Sequence, residues 1–212
     1  MRRYVLVGIG TILTFVACAA ASSSSSDQRL ATALVAARAD VPTSWAEFKP
    51  RGPLLQCVAT SSAGLITAQT RSVLGTPNSG VSSVATVLAD RRQARRYYRA
   101  ALAAIPACVR HSLSTSHPTY VWHVQPLTAG RYGLQSGAWR LRFLRGTSRG
   151  SVDWAVVDTG RAVLVDIFMM GAYDAHWKDI SAARGLGGSV IGIEQRILTN
   201  AARRAAAADS TN

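Results

Sequence analysis

Five residues of this chain form the one arrangement with an obvious chemical use. Arg140 and Arg142 lie two apart in a segment of alternating apolar and polar side chains, so they share a strand face; Arg161 comes near it if neighbouring hairpins are in register. A guanidinium makes paired hydrogen bonds to phosphate or carboxylate, so this cluster could hold an anionic headgroup or glycan phosphate. Tyr120 and Trp122 would supply apolar walls. The competing reading is an outer sheet face where each Arg meets water or an acid such as Asp153.

Other chemistries find little footing. His111, His117 and His123 are six apart, with no His-x-x-x-His or Cys-x-x-Cys, so no metal site is expected. Neither Gly-x-Ser-x-Gly nor Ser-x-x-Lys occurs, and Ser79 in Asn-Ser-Gly-Val reads as a turn. Asp153, Asp158 and Asp166 fall on adjacent strands, but they do not form an evident pair facing a sugar cleft. No catalytic residue, cofactor or metal is assigned.

The cysteines concern address and stability. Arg2 and Arg3, an apolar run from Tyr4 to Ala17 and then Cys18 make an export signal too short to span a bilayer comfortably. Phe15-Val16-Ala17-Cys18 is similar to a bacterial lipobox, in which the cysteine is lipidated and becomes the mature N-terminus; the alternative is ordinary cleavage after Ala20 or Ala21. The expected order is a signal over 1–17, a Ser-rich tether over 18–27, one domain over 28–205 and a frayed tail over 206–212. Cys57 and Cys108 lie in the exported part, where oxidising conditions favour a bridge. It would close a loop of about 50 residues, worth on the order of 4 kcal/mol in the chain-entropy model. Two free buried thiols are the alternative. Pairing them would leave Cys18 as the odd cysteine, as lipidation requires.

Charge narrows the partners. The chain has 24 Lys+Arg against 11 Asp+Glu, and Lys49 and Lys178 are its lysines. Loss of Arg2 and Arg3 with the signal leaves a net charge of +11, suited to anionic envelope surfaces; export argues against a physiological nucleic-acid partner. The arginine richness is also what a GC-rich coding bias would give.

The elements that must position these residues follow from periodicity. A helix is expected over 27–39, with Asp27 as N-cap and Asp40-Val41-Pro42 as stop. An irregular segment carrying Trp45 and Phe48 follows, then strands over 64–74 and 81–88. Asp90 caps a helix over 90–105 with Arg91, Arg92, Arg95, Arg96 and Arg99 largely on its outer side, and Pro106 is expected to end or kink it. Four strands over 119–124, 138–144, 152–157 and 161–169 should form a meander with one wet face, and a helix over 189–206 closes the chain, fraying from 204. The class is α+β: a largely antiparallel sheet packed against helices, with one disulfide.

This order is similar to that of the PknH-like extracellular sensor domains of actinobacteria, found on receptor kinases and free lipoproteins. The residues that carry the likeness are Asp40-Val41-Pro42 with Trp45, then Cys57, the helix from Ala94 to Cys108, the Thr159-Gly160-Arg161 turn and the Ala-rich last helix. Family members often have a second disulfide, for which this chain lacks cysteines. The resemblance implies non-enzymatic binding of an unidentified small-molecule, lipid or glycan ligand by a monomer, held by its N-terminal lipid to the outer face of the cell membrane. A secreted envelope hydrolase and a structural protein binding another protein are the alternatives.

Overall fold

The computed structural model describes residues 24–49, 64–76, 79–116, 121–127, 130–145, 148–170 and 192–209. Helix α1 spans Ser25–Leu34. A single 3-10 turn, Arg38–Asp40, and the two-residue strand β1, Ala46–Glu47, follow. Then come β2 (Ile66–Gly75), β3 (Ser79–Leu88), α2 (Arg91–Ser116), β4 (Val121–Leu127), β5 (Gln135–Arg145), β6 (Ser148–Asp158), β7 (Ala162–Met170) and α3 (Gly192–Asp209).

The strands form one seven-stranded sheet in the order β1-β2-β3-β7-β6-β5-β4. Every pair is antiparallel. The chain leaves β3 through α2, enters the far edge at β4 and returns as the expected meander until β7 pairs with β3. The α+β class therefore stands, with β3, β4, β5 and β6 longer than expected. Cys18 and Cys57 lie outside the described residues, as does the side chain of Cys108, so the proposed bridge is not seen.

Both faces of the sheet are covered. On one face Leu141, Trp154, Val156, Val163, Val165 and Ile167 pack under Ala94, Tyr97, Tyr98, Ala101 and Ile105 of α2. On the other, Ala68, Leu74, Val81, Ala85, Ala155, Leu164 and Phe168 pack under Leu30 and Leu34 of α1 and Ile197, Leu198 and Ala201 of α3. The expected wet face is thus replaced by a second core. The approach of α2 is close enough that a Cβ at Gly137 would lie 2.5 Å from Leu102 Cδ1, so a larger residue there would have to displace the Leu102 side chain.

Local expectations are corrected at the helix ends: α1 stops at Leu34 rather than continuing to 39. Ser24, not Asp27, caps α1: its Oγ accepts from Asp27 N at 3.1 Å, which places Asp27 one turn in, where its carboxylate favours the helix dipole. Helix α2 runs through Pro106 to Ser116. Proline removes the bond to the Leu102 carbonyl, but the apolar stripe that includes buried Ile105 keeps the helix on the sheet. Helix α3 runs to Asp209, with Ala205 buried. The capping role of Asp90 holds, since its Oδ1 accepts from Gln93 N and its Oδ2 from Gln93 Nε2, both at 2.7 Å.

A charged clamp ties α1 to α3. Asp40 Oδ2 accepts from Arg204 Nη2 at 2.9 Å and Ala37 N at 2.8 Å, and its Oδ1 from Arg204 Nη1 at 3.0 Å and Asn200 Nδ2 at 2.9 Å. Arg204 also donates to the carbonyls of Ala33 and Val35, satisfying acceptors at the end of α1. Burial alone would raise the Asp40 pKa, but the donors on Arg204, Ala37 and Asn200 outweigh it and hold the carboxyl below its ordinary value. A depressed pKa stabilises the fold above the ordinary carboxylate range and loses that effect as pH falls through the lowered value. Asp40→Ala should therefore cost about 2–3 kcal/mol near neutral pH, discounted because Arg204 is partly exposed, and less in strong acid. Urea unfolding of both proteins near pH 7 and pH 2.5 checks this.

Candidate functional site

The site is built on the sheet face beneath α1 and α3. Alternation along β5 places Ser136, Ala138, Arg140 and Arg142 on that face. The β5–β6 register sets Arg140 opposite Asp153 and Arg142 opposite Ser151. Arg140 has no exposed surface and grips Asp153 in a fork: Nε donates to Oδ1 at 2.7 Å and Nη2 to Oδ2. Burial alone would lower the Arg140 pKa; the Asp153 hydrogen bonds and charge, with Glu194 adding, more than reverse that and keep the guanidinium firmly charged. Glu194 sits in the first turn of α3 and is buried. It also acts on Tyr132, whose pKa is raised by burial first and by the Glu194 charge second.

The fork leaves atoms unspent. Arg140 Nη1 and the Ser151 Oγ next along the face are buried without a hydrogen-bond partner. Asp166 lies on the same face, opposite Ser83 on β3 and Ala155 on β6, and neither of its oxygens has a partner. Burial pushes Asp166 up to about 7; the Ser83 hydroxyl opposes that shift without meeting hydrogen-bond geometry, Asp40 reinforces it and Arg204 opposes it. Ser83 Oγ does accept from Ala36 N at 3.0 Å. The α2 face has two further unpaired buried atoms, Ser82 Oγ and Trp154 Nε1, set in an apolar layer.

Of the arginines picked out by sequence, Arg140 and Arg142 do share a face, Arg140 buried and Arg142 exposed. Arg140 meets Asp153, the partner named in the competing reading. Arg161 is not brought to them: it follows the turn at the opposite end of β6 and donates through Nη2 to Asp27 Oδ1 at 2.9 Å. Tyr120 lies outside the described residues, and Trp122 pairs with Phe143 in register while its side chain lies outside the description. Sequence reasoning did not single out Ser151, Glu194 or Tyr132 for the site. Ser151 was within reach, being two residues before Asp153 on the same face, whereas the placement of Glu194 depends on how α3 crosses the sheet.

The carboxylates considered for catalysis have other surroundings here. Asp153 is committed to Arg140, and Asp158 accepts from Gly160 N at 2.9 Å within its turn. Burial raises Asp158, with the Gly160 N–H and the Arg95 charge opposing. Among the described residues no three His, Cys, Asp or Glu side chains are grouped to hold a metal, and no helix is long and apolar enough to cross a membrane.

No family model and no curated protein matches this chain by sequence. Among solved structures, it is similar to the extracellular domain of PknH from Mycobacterium tuberculosis, with a TM-score of 0.56 and 10% identity over 85% of this chain and 96% of that one. The likeness is one of fold. It accords with the architecture implied by the PknH-like residues. A protein of unknown function from Pseudomonas aeruginosa, PA94, superposes at a TM-score of 0.27 with 12% identity, covering 67% and 93% of the two chains.

Asp166 gives the site a measurable signature. Its folded pKa is raised, so the folded state holds a proton that the unfolded chain releases between about pH 4 and 7, and stability declines across that window. Asp166→Asn should raise Tm relative to the parent by several degrees at pH 8 and change it little at pH 5. Differential scanning calorimetry at the two pH values decides this; equal shifts at both would mean that the carboxyl is ionised throughout.

Proposed function

We propose that this protein is an exported, non-enzymatic ligand-binding module of the PknH-like, actinobacterial type. Cys18 carries its lipid anchor on the outer face of the membrane, the Ser-rich tether expected over 18–27 ends where α1 begins at Ser25, and Cys57 and Cys108 form a bridge. The supporting observation is the pair of unspent buried polar atoms, Arg140 Nη1 and Ser151 Oγ, beside exposed Arg142. The likeness to an extracellular domain agrees with it.

The electrostatics select the ligand. Asp153 already neutralises Arg140, and Glu194 adds negative charge nearby, so a second anion at Arg140 is disfavoured. A hydroxyl or carbonyl suits Nη1 and Ser151 Oγ, while Arg142, directly opposite Ser151, can meet a negative group at the exposed end. Apolar side chains dominate the rest of this layer. An amphipathic envelope molecule with a hydroxylated, anionic headgroup fits these three demands. Binding without turnover fits in that two of the three carboxylates considered for catalysis, Asp153 and Asp158, are engaged in structural hydrogen bonds, and Asp166 alone keeps unengaged oxygens.

Thermal shift with short-chain phosphatidylinositol, inositol 1-phosphate and neutral diacylglycerol tests the reading. At a hundredfold excess over Kd the first should raise Tm by about 5–10 °C, and the gain should be lost in Ser151→Val and reduced in Arg142→Glu. No stabilisation by any of the three would end it.

A further inference from the structure

One end of the sheet gathers the features of a membrane-facing surface. It is the end where β2, β5 and β7 begin and β3, β4 and β6 finish. Leu65, Ile66 and Leu134 lie there with 56%, 37% and 67% of their surface exposed, three of the four exposed large hydrophobic side chains among the described residues. Leu65 is held to the start of α2, its N–H donating to Gln93 Oε1 and its carbonyl accepting from Ala89 N at 3.0 Å. Leu134 and Arg91 both border the Gly160 turn: a Cβ built at Gly160 would lie 3.8 Å from Leu134 Cδ1 and 3.8 Å from Arg91 Nε.

Arg91, Arg92 and Arg95 are exposed on the first turns of α2 at the same end. Cations there oppose the positive pole of the helix dipole, so helix stability does not account for them. The exposed acid beside them, Asp90, is occupied in capping the helix. The chain's own N-terminal exit is adjacent. Asp27, in the first turn of α1, pairs with Arg161 at 2.9 Å, and the Arg161 carbonyl accepts from Leu88 N at 2.9 Å. A chain attached at Cys18 has six residues to reach Ser24, so the domain's first helix begins no more than about 20 Å from the attachment point.

We propose that this end docks on an anionic phospholipid bilayer, with Arg91, Arg92 and Arg95 on the headgroups and Leu65, Ile66 and Leu134 in the interfacial layer. The exposed aliphatic side chains favour a bilayer over a soluble polyanion, since only the bilayer removes them from water. A basic residue at an anionic surface strengthens attachment about fivefold, so three make the orientation decisive rather than incidental. The short reach rests on attachment at Cys18; the docking chemistry does not.

Hydrogen exchange on the full chain separates the two. The protein is floated with vesicles of phosphatidylcholine alone or with one quarter phosphatidylserine, whose anionic headgroup carries no hydroxyl, and amide exchange is read by mass spectrometry. Peptides over 64–66, 88–95 and 131–135 should exchange at least fivefold more slowly on the anionic vesicles, with no change at the opposite sheet end. R91E/R92E/R95E, checked for fold by circular dichroism, should abolish the difference, and Leu134→Ser should weaken it. Flotation with equal exchange on both vesicles, or slowing that survives the triple reversal, would overturn docking alone. Failure to float with either vesicle would overturn both attachment and docking.

Discussion

Covering both faces of an antiparallel sheet is the constraint on which the rest of this structure depends. Such a sheet usually keeps one wet side, where alternating polar residues cost nothing. Here α2 lies on one face and α1 with α3 on the other, so polar residues of β3, β5, β6 and β7 that would have met water are enclosed. Each must find a partner or remain unsatisfied. Arg140 finds Asp153 directly opposite, through the β5–β6 register. Asp166 finds no hydrogen bond and answers by shifting its proton affinity instead. The same enclosure produces both outcomes.

The helix layer that creates this demand is itself held by charge. Arg204 of α3 binds Asp40 and two carbonyls at the end of α1, and Arg196 donates to the Asp40 carbonyl at 3.0 Å. These contacts join segments more than 150 residues apart. Their electrostatic influence reaches the site: Asp40 raises Asp166 while Arg204 lowers it. Loosening the clamp would thus change the proton balance of the layer below, a coupling that arises from proximity without any separate device.

Much of the architecture was legible because strand alternation and helical periodicity are local. The meander from β4 to β7, the Asp90 cap and the outer arginines of α2 all follow from spacing, and all appear where expected. The site was legible only in part. Alternation placed Arg140 and Arg142 together and offered Asp153 as a partner, but it could not say that α3 would bury the face. Arg161 was misjudged as a neighbour because its distance from Arg140 depends on strand lengths, and β5 and β6 extend further than their apolar cores suggested. Of the two outcomes expected at Pro106, ending or kinking the helix, the first does not occur, because tertiary packing carries α2 on to Ser116. The clamp at Asp40 was invisible, since no periodicity links residue 40 to residue 204.

The two proposed surfaces occupy opposite ends of the same strands, and this arrangement has a functional logic. Leu134 precedes β5 at the end with the N-terminal exit, whereas Arg142 lies eight residues further along, about 25 Å away in an extended strand. A domain docked by its Leu134 end would therefore hold the Arg142–Ser151 row away from the bilayer, with the sheet as a rigid spacer. The basic charge serves the two ends differently. On the first turns of α2 it is presented outward, its acidic neighbours being the capping Asp90 and the buried Asp158 that the Arg95 charge reaches; at Arg140 it is neutralised by Asp153 and leaves directed donors, as recognition requires. The high net charge is thus compatible with a site that does not select for charge alone.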